Sequence, residues 1–170
     1  MPPLIESAAR RGLVVAAFVF AFLALGSTGG AGGLLALASG IAGIVYLIRQ
    51  QCLRDREARA ATGRGVPAAA LASYGVAISF FAALPVALAV YVILRFIFPD
   101  YIVSQIEYSV NVMAQIPEYA PLTAQLQHIL DHGPVPTPAD MMASVLMMMM
   151  LSGLFIGIAG LIIAKTINRK

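Results

Sequence analysis

Residues 12–48 read GLVVAAFVFAFLALGSTGGAGGLLALASGIAGIVYLI, 37 consecutive positions without a charge. A continuous helix of that length would reach roughly 55 Å, against a bilayer hydrocarbon core of about 30 Å. The run therefore has to turn back on itself. Gly26, Gly29, Gly30, Gly32 and Gly33, with Ser27 and Thr28 among them, place the turn, because glycine is costly inside a helix and permissive in a bend. The stretch predicts a helical hairpin with legs over about 12–28 and 31–49. Each leg covers only roughly 26 Å. A locally thin bilayer, little tilt, or backward extension of the first leg toward Leu4 and Ile5 is the expected accommodation.

Composition agrees with this reading. The 170 residues are 60% hydrophobic and 11% charged, with no Trp, far from the roughly half apolar and quarter charged of ordinary soluble domains. The length allows a single domain, and one Cys excludes an internal disulfide framework. A formal charge of +3 would suit nucleic acid, but the basic residues sit at the ends of apolar runs and not along one soluble face. No nucleic-acid partner is expected.

Two further apolar runs follow. The third span runs over about 67–98, opened by Pro67, whose missing N–H is not needed in a first helical turn, and carrying Pro85 inside, which predicts a kink. The last runs over about 139–165, and Thr137, Pro138 and Asp140 read as N-cap, N1 and acidic N3 of a capping box. Ten of the eleven Lys and Arg fall on one side of these four spans, leaving Arg95 for the other. By the positive-inside rule both termini and the Arg-rich connection 49–66 are cytoplasmic and the segment 99–138 is outside. The predicted fold is all-α: a four-span transmembrane helix bundle, one domain over 1–170, with short extracytoplasmic amphipathic helices. A cleaved signal peptide over residues 1 to about 30 is the competing reading, since Arg10 and Arg11, an apolar stretch and small residues fit its three regions. The twin arginine hints at a Tat signal but lacks the rest of that consensus.

The outer segment has helical periodicity. Ile102, Ile106, Val110 and Met113 share one face, with Ser104, Glu107, Asn111 and Gln115 on another, and Leu122, Leu126, Ile129 and Leu130 begin a second pattern that ends near Gly133. These two helices are expected to lie at the interface or close the outer end of the bundle, or to dock a partner. On the inner side, residues 49–61 are good helix formers, so the second span is expected to continue as a helix until Gly63 and Gly65 stop it. Arg49, Arg54, Arg56, Arg59 and Arg64 read mainly as topogenic, solvating charge, with contact to lipid headgroups or a cytoplasmic partner as the functional alternative.

Chemistry-bearing motifs are sparse. From Leu13 to Ile48, Ala68 to Leu94 and Met141 to Ala164 there is no Asp, Glu, His, Lys or Arg, which disfavours an ion-coupled carrier. The hydroxyls of Ser39, Tyr46, Tyr74, Ser79 and Ser152 are expected to bond to helix carbonyls. His128 and His132 stand one turn apart but lack a third ligand or an adjacent Glu, and Met147 to Met150 point in four directions around a helix. Cys52 reads as an ordinary juxtamembrane thiol. No catalytic residue, metal site or cofactor is predicted. Small residues form stripes: Gly153 and Gly157 with Gly160, then Gly75, Ser79, Ala83 and Ala87, then Ala36 with Gly40 and Ser39 with Gly43. Such stripes let helices approach closely, within the chain or toward another membrane protein or a second copy. Arg95 is expected to snorkel toward the interface, in the direction of Asp100, with contact to an acidic partner as the alternative.

The glycine-interrupted hairpin, Arg54-Asp55-Arg56-Glu57, a third span with Gly75 ending in Phe98-Pro99-Asp100-Tyr101, and a glycine-bearing last span running into Lys165–Lys170 resemble the short bacterial four-span proteins grouped as domain of unknown function 4199. The outer segment here is richer in Pro and poorer in charge. The resemblance implies a bacterial inner-membrane protein and supplies no activity. By elimination, the expected function is a non-enzymatic accessory or scaffold subunit of a larger membrane complex, touching membrane lipids and another membrane protein or itself. The alternative is a small oligomeric channel or transporter for a neutral or lipid-like solute.

Overall fold

Apolar runs too long for one crossing, broken by glycine and proline, become separate long helices. The computed structural model describes residues 4–26 and 30–167. Its elements are α1 (Leu4–Gly26), α2 (Gly30–Thr62), α3 (Ala68–Val92), α4 (Tyr101–Met113), α5 (Ala120–His132) and α6 (Pro138–Ile167). Four of them, α1, α2, α3 and α6, are long and apolar enough to cross a membrane, and no strand occurs among the described residues. The helix α1 begins at Leu4, so the first leg is extended backwards. Of the residues expected to make the bend, Gly30, Gly32 and Gly33 are already helical in α2, while Ser27, Thr28 and Gly29 lie outside the described residues, as do Arg169 and Lys170 of the basic tail.

The second span does continue as a helix, to Thr62. Gly63 stops it with φ of 70°, a left-handed value that side chains resist, and its N–H closes on Arg59 O at 2.9 Å. At Pro67 the chain re-enters a helix, Leu71 N donating to Pro67 O at 3.0 Å. The last turn of the third apolar run is a π-helical turn over Ile93–Ile97, closed by Phe98 N on Ile93 O at 2.9 Å.

The chain divides into two compact units. The first comprises Met1–Ala87 and Val145–Lys170. Within it α1 and α2 pair as a hairpin, with Phe22 and Phe18 of α1 seated on Gly40 and Gly43 of α2 and Ser39 Oγ donating to Phe18 O at 2.8 Å. The most buried element is α3: Leu71, Tyr74, Gly75, Ile78, Ser79, Ala82, Ala83, Val86 and Ala87 repeat every three to four residues and place one broad face in the interior. Ala8, Val15, Ala16, Leu47, Tyr74, Ile78, Ala82 and Val86 form the core. Leu34, Met148 and Phe155 are each 71% exposed, as expected of side chains that face lipid rather than water.

The second unit, Leu88–Ser144, is described by itself. Helices α4 and α5 pack on one another through a 3-10 turn at Pro117–Tyr119. On α4, Val110 is buried and Ile102, Ile106 and Met113 on the same face are half-buried, while Ser104, Glu107, Asn111 and Gln115 are exposed, in agreement with the periodicity. A reciprocal capping box opens α6: Thr137 N donates to Asp140 Oδ2 at 2.8 Å and Asp140 N to Thr137 Oγ1 at 3.2 Å. Replacing Thr137 by Ala should weaken this end by about 1 kcal/mol. Amide exchange at Asp140 and Met141 is then expected to quicken about fivefold, whereas Thr137→Ser should leave it near the native rate.

Candidate functional site

The polar interior lies at the cation-rich end of the first unit. On α2, Leu47, Gln51 and Asp55 follow at intervals of four and are 2%, 0% and 0% exposed, so the buried stripe of the apolar span runs on unbroken into residues that read as solvated. Gln51 Nε2 donates to Leu71 O of α3 at 3.1 Å and to Gly157 O of α6 at 3.0 Å. Both carbonyls already serve their own helices, so the amide uses their second lone pairs. These two bonds define which end of the carboxamide is nitrogen. Its Oε1 takes no N–H or O–H donor among the described residues and faces Gly160, while Nε2 lies against Gly75. The carboxamide thus occupies the space that α3 and α6 leave where they carry no Cβ.

One turn further on, Asp55 clasps three segments. Its Oδ1 accepts from Lys165 Nζ of α6 and from Val66 N of the connection, each at 2.9 Å, and its Oδ2 accepts from Arg59 Nε at 2.9 Å. Lys165 also donates to Val66 O. Gly65 is where the connection crosses the carboxylate: a Cβ there would lie 2.6 Å from Asp55 Oδ1. With its oxygens held by charge-assisted bonds, this carboxylate is a fastener, not an available base.

The third feature is Tyr74 of α3, fully buried. Its hydroxyl lies 2.9 Å from Ser7 Oγ and accepts a hydrogen bond from Arg11, both of α1. The Arg54 guanidinium stacks over its ring at 4.6 Å from the centroid, well within the roughly 6 Å reach of a cation–π contact. An open cleft of about 190 Å³ beside it is lined by Glu6, Ser7, Arg10 and Arg11.

The residues singled out in the sequence fall in three groups. Arg49, Arg56 and Arg64 are exposed, Arg54 and Arg59 are half-buried on Tyr74 and Asp55, and Arg95, in the second unit, is exposed with no ion pair to Asp100 among the described residues. Gly75, Ser79 and Ala83 are buried on α3, and Gly153, Gly157 and Gly160 are buried on α6. Gly75 faces the Gly157 Cα and Gly153 faces Ser79, so these two stripes meet each other within the chain. The Tyr74 hydroxyl serves side chains and not a helix carbonyl, while the Ser39 hydroxyl does bond to one. The rings of His128 and His132 lie 5.6 Å apart, and no group of three His, Cys, Asp or Glu converges among the described residues. Met147, Met148 and Met150 are exposed while Met149 packs on the core.

Sequence reasoning missed Gln51, Asp55, Lys165 and Ser7. The available signal was the spacing of four from Leu47 to Gln51 to Asp55, which continues a helical face past the end of the apolar run. Compared with known proteins, the chain matches no family model, no curated protein and no solved structure.

Proposed function

We propose that this chain is an integral membrane protein of the bacterial inner membrane, with both termini cytoplasmic, and that it acts as a non-enzymatic accessory or scaffold subunit of a larger membrane complex. The observation that carries this reading is the use of its buried polar side chains. Gln51, Asp55 and Tyr74 each bond from one helix to another, a device that fastens helices together. A carrier would instead need groups at membrane depth that bind and release charge, and the uncharged runs contain none. Orientation is supported by the one-sided distribution of Lys and Arg, and the bacterial membrane by the resemblance to domain of unknown function 4199. On this reading the exposed Arg49, Arg56 and Arg64 face the cytoplasmic headgroups or a partner, and α4 and α5 lie outside.

Purification in gentle detergent tests the reading. A second membrane protein, or a second copy of the chain, is expected to co-purify in fixed proportion, and liposomes holding this protein alone should pass no neutral solute. Solute flux through such liposomes, with nothing co-purifying, would replace the scaffold by the oligomeric channel or transporter.

A further inference from the structure

Among the described residues four cations are half-buried: Arg11, Arg54, Arg59 and Lys165. Two of them share Asp55. The other two converge on Tyr74, and no carboxylate of the described residues lies within ion-pair distance of either. Their guanidinium carbons are 5.7 and 4.6 Å from the same ring centroid, so they stand no more than about one Debye length apart at 0.1 M salt. Two partly desolvated like charges held this close, with no described acid in ion-pair reach of either, make an electrostatic hole for an anion.

The donors are also in surplus. A guanidinium carries five N–H groups. Arg54 makes no hydrogen bond to a described residue, and Arg11 spends one donor on the Tyr74 hydroxyl. That hydroxyl can accept from Arg11 and donate to Ser7 Oγ, which leaves the Ser7 proton for the cleft that Ser7 lines. Glu6, the acid of the cleft, is 2.8 Å from Arg10 and is neutralised by it, so the cleft keeps the Arg11 charge. In that cleft the planar guanidinium fork of Arg11 stands beside the Ser7 hydroxyl, a pairing of donors that suits the oxygens of a phosphate. The place suits it too. Arg11 directly precedes the uncharged run that begins at Gly12, and Arg54 lies six residues past its end at Ile48, the depth at which a bilayer presents its headgroups.

The geometry points to a phosphate-binding site formed by Ser7 and Arg11 of the cleft, with Arg54 adding its charge across Tyr74. The phosphate belongs to an anionic lipid headgroup or to a soluble phosphate ester. The full chain in neutral detergent is titrated with phosphatidylglycerol, with phosphatidylcholine, and with glycerol 3-phosphate, and bound species are counted by native mass spectrometry. Saturable binding of phosphatidylglycerol alone identifies a headgroup site, and equal saturation by glycerol 3-phosphate identifies a soluble ester. Arg11→Gln should weaken binding roughly tenfold, the worth of one charge-assisted hydrogen bond, and Arg54→Gln, which removes only a charge acting across the Tyr74 ring, about threefold. Glu6→Gln should tighten it, and Arg49→Gln, at an exposed position, should change it less than about twofold. Should Arg11→Gln fail to fold, Glu6→Gln and Arg54→Gln carry the test, since Glu6 is exposed and Arg54 makes no hydrogen bond to a described residue. An equal loss from Arg49→Gln, showing diffuse attraction to a basic surface, or no saturable binding of any anionic phosphate probe, overturns the site.

Discussion

Gly160→Ala is expected to cost about 3 kcal/mol, overpacking plus the loss of hydrogen bonds, although it adds a single methyl to a helix that generally favours alanine. The Cβ would overlap Gln51 Oε1. The carboxamide has no retreat: it is 0% exposed, Nε2 is held by Leu71 O and Gly157 O, and Gly75 closes its other side. Either α6 moves away from α2 and α3, or the amide leaves its partners and stays buried. Gly157→Ala is the contrast. A Cβ there would sit 3.4 Å from Ala72 O and 3.6 Å from Val76 N, ordinary contact, so its effect should stay within about 1 kcal/mol, offset by helix propensity. Denaturation in mixed detergent, followed by circular dichroism at 222 nm, reads both. Gln51→Ala should partly rescue Gly160→Ala, and the cycle of the two changes should show coupling. Equal losses for the two glycine variants would contradict the packing described.

Asp55→Ala is expected to be nearly as damaging, at about 2–3 kcal/mol. The carboxylate is fully buried and accepts bonds from α6, from the connection and from its own helix. Breaking a fully buried pair costs about 3–5 kcal/mol because a charge is stranded. Here the orphaned Lys165 and Arg59 side chains are 31% and 35% exposed and can swing toward water, which places the loss below that range. Lys165→Met alone should cost less, because Asp55 keeps Arg59 and Val66 N. Asp55→Leu combined with Lys165→Met should recover part of the loss of Asp55→Ala, as apolar replacement of a buried pair often does. The same melts measure this series. A native melting curve for Asp55→Ala would remove the clasp from any account of stability.

Much of the architecture is legible one residue at a time. The capping box at Thr137 and Asp140, the stop at Gly63, the start at Pro67 and the amphipathic face of α4 are local, and the chain realises each where the spacing puts it. The arginine helix was legible as a helix but not in its burial. Five arginines over 49–64 dominate any local count, and Asp55 looks like one more solvated charge among them. Its neutralising partner, Lys165, is 110 positions away, and charge pairing at that separation leaves no trace in a window of one or two turns. Ser7 and Tyr74 are similarly distant, with 67 positions between them.

The sequence by itself determined that the chain makes four long apolar helices, where the second ends and the third begins, and that its cations lie outside the uncharged runs. Those properties follow from chain length against bilayer thickness and from backbone preferences, which act within a few residues. Only the tertiary structure decided that Gln51 fills the gap bordered by Gly75 and Gly160, that Asp55 is a buried clasp, and that Arg11 and Arg54 share Tyr74 with no acid of the described residues in ion-pair reach. A polar side chain is solvated or buried according to what the other helices bring to it, and that is a property of the packed arrangement, absent from any one segment.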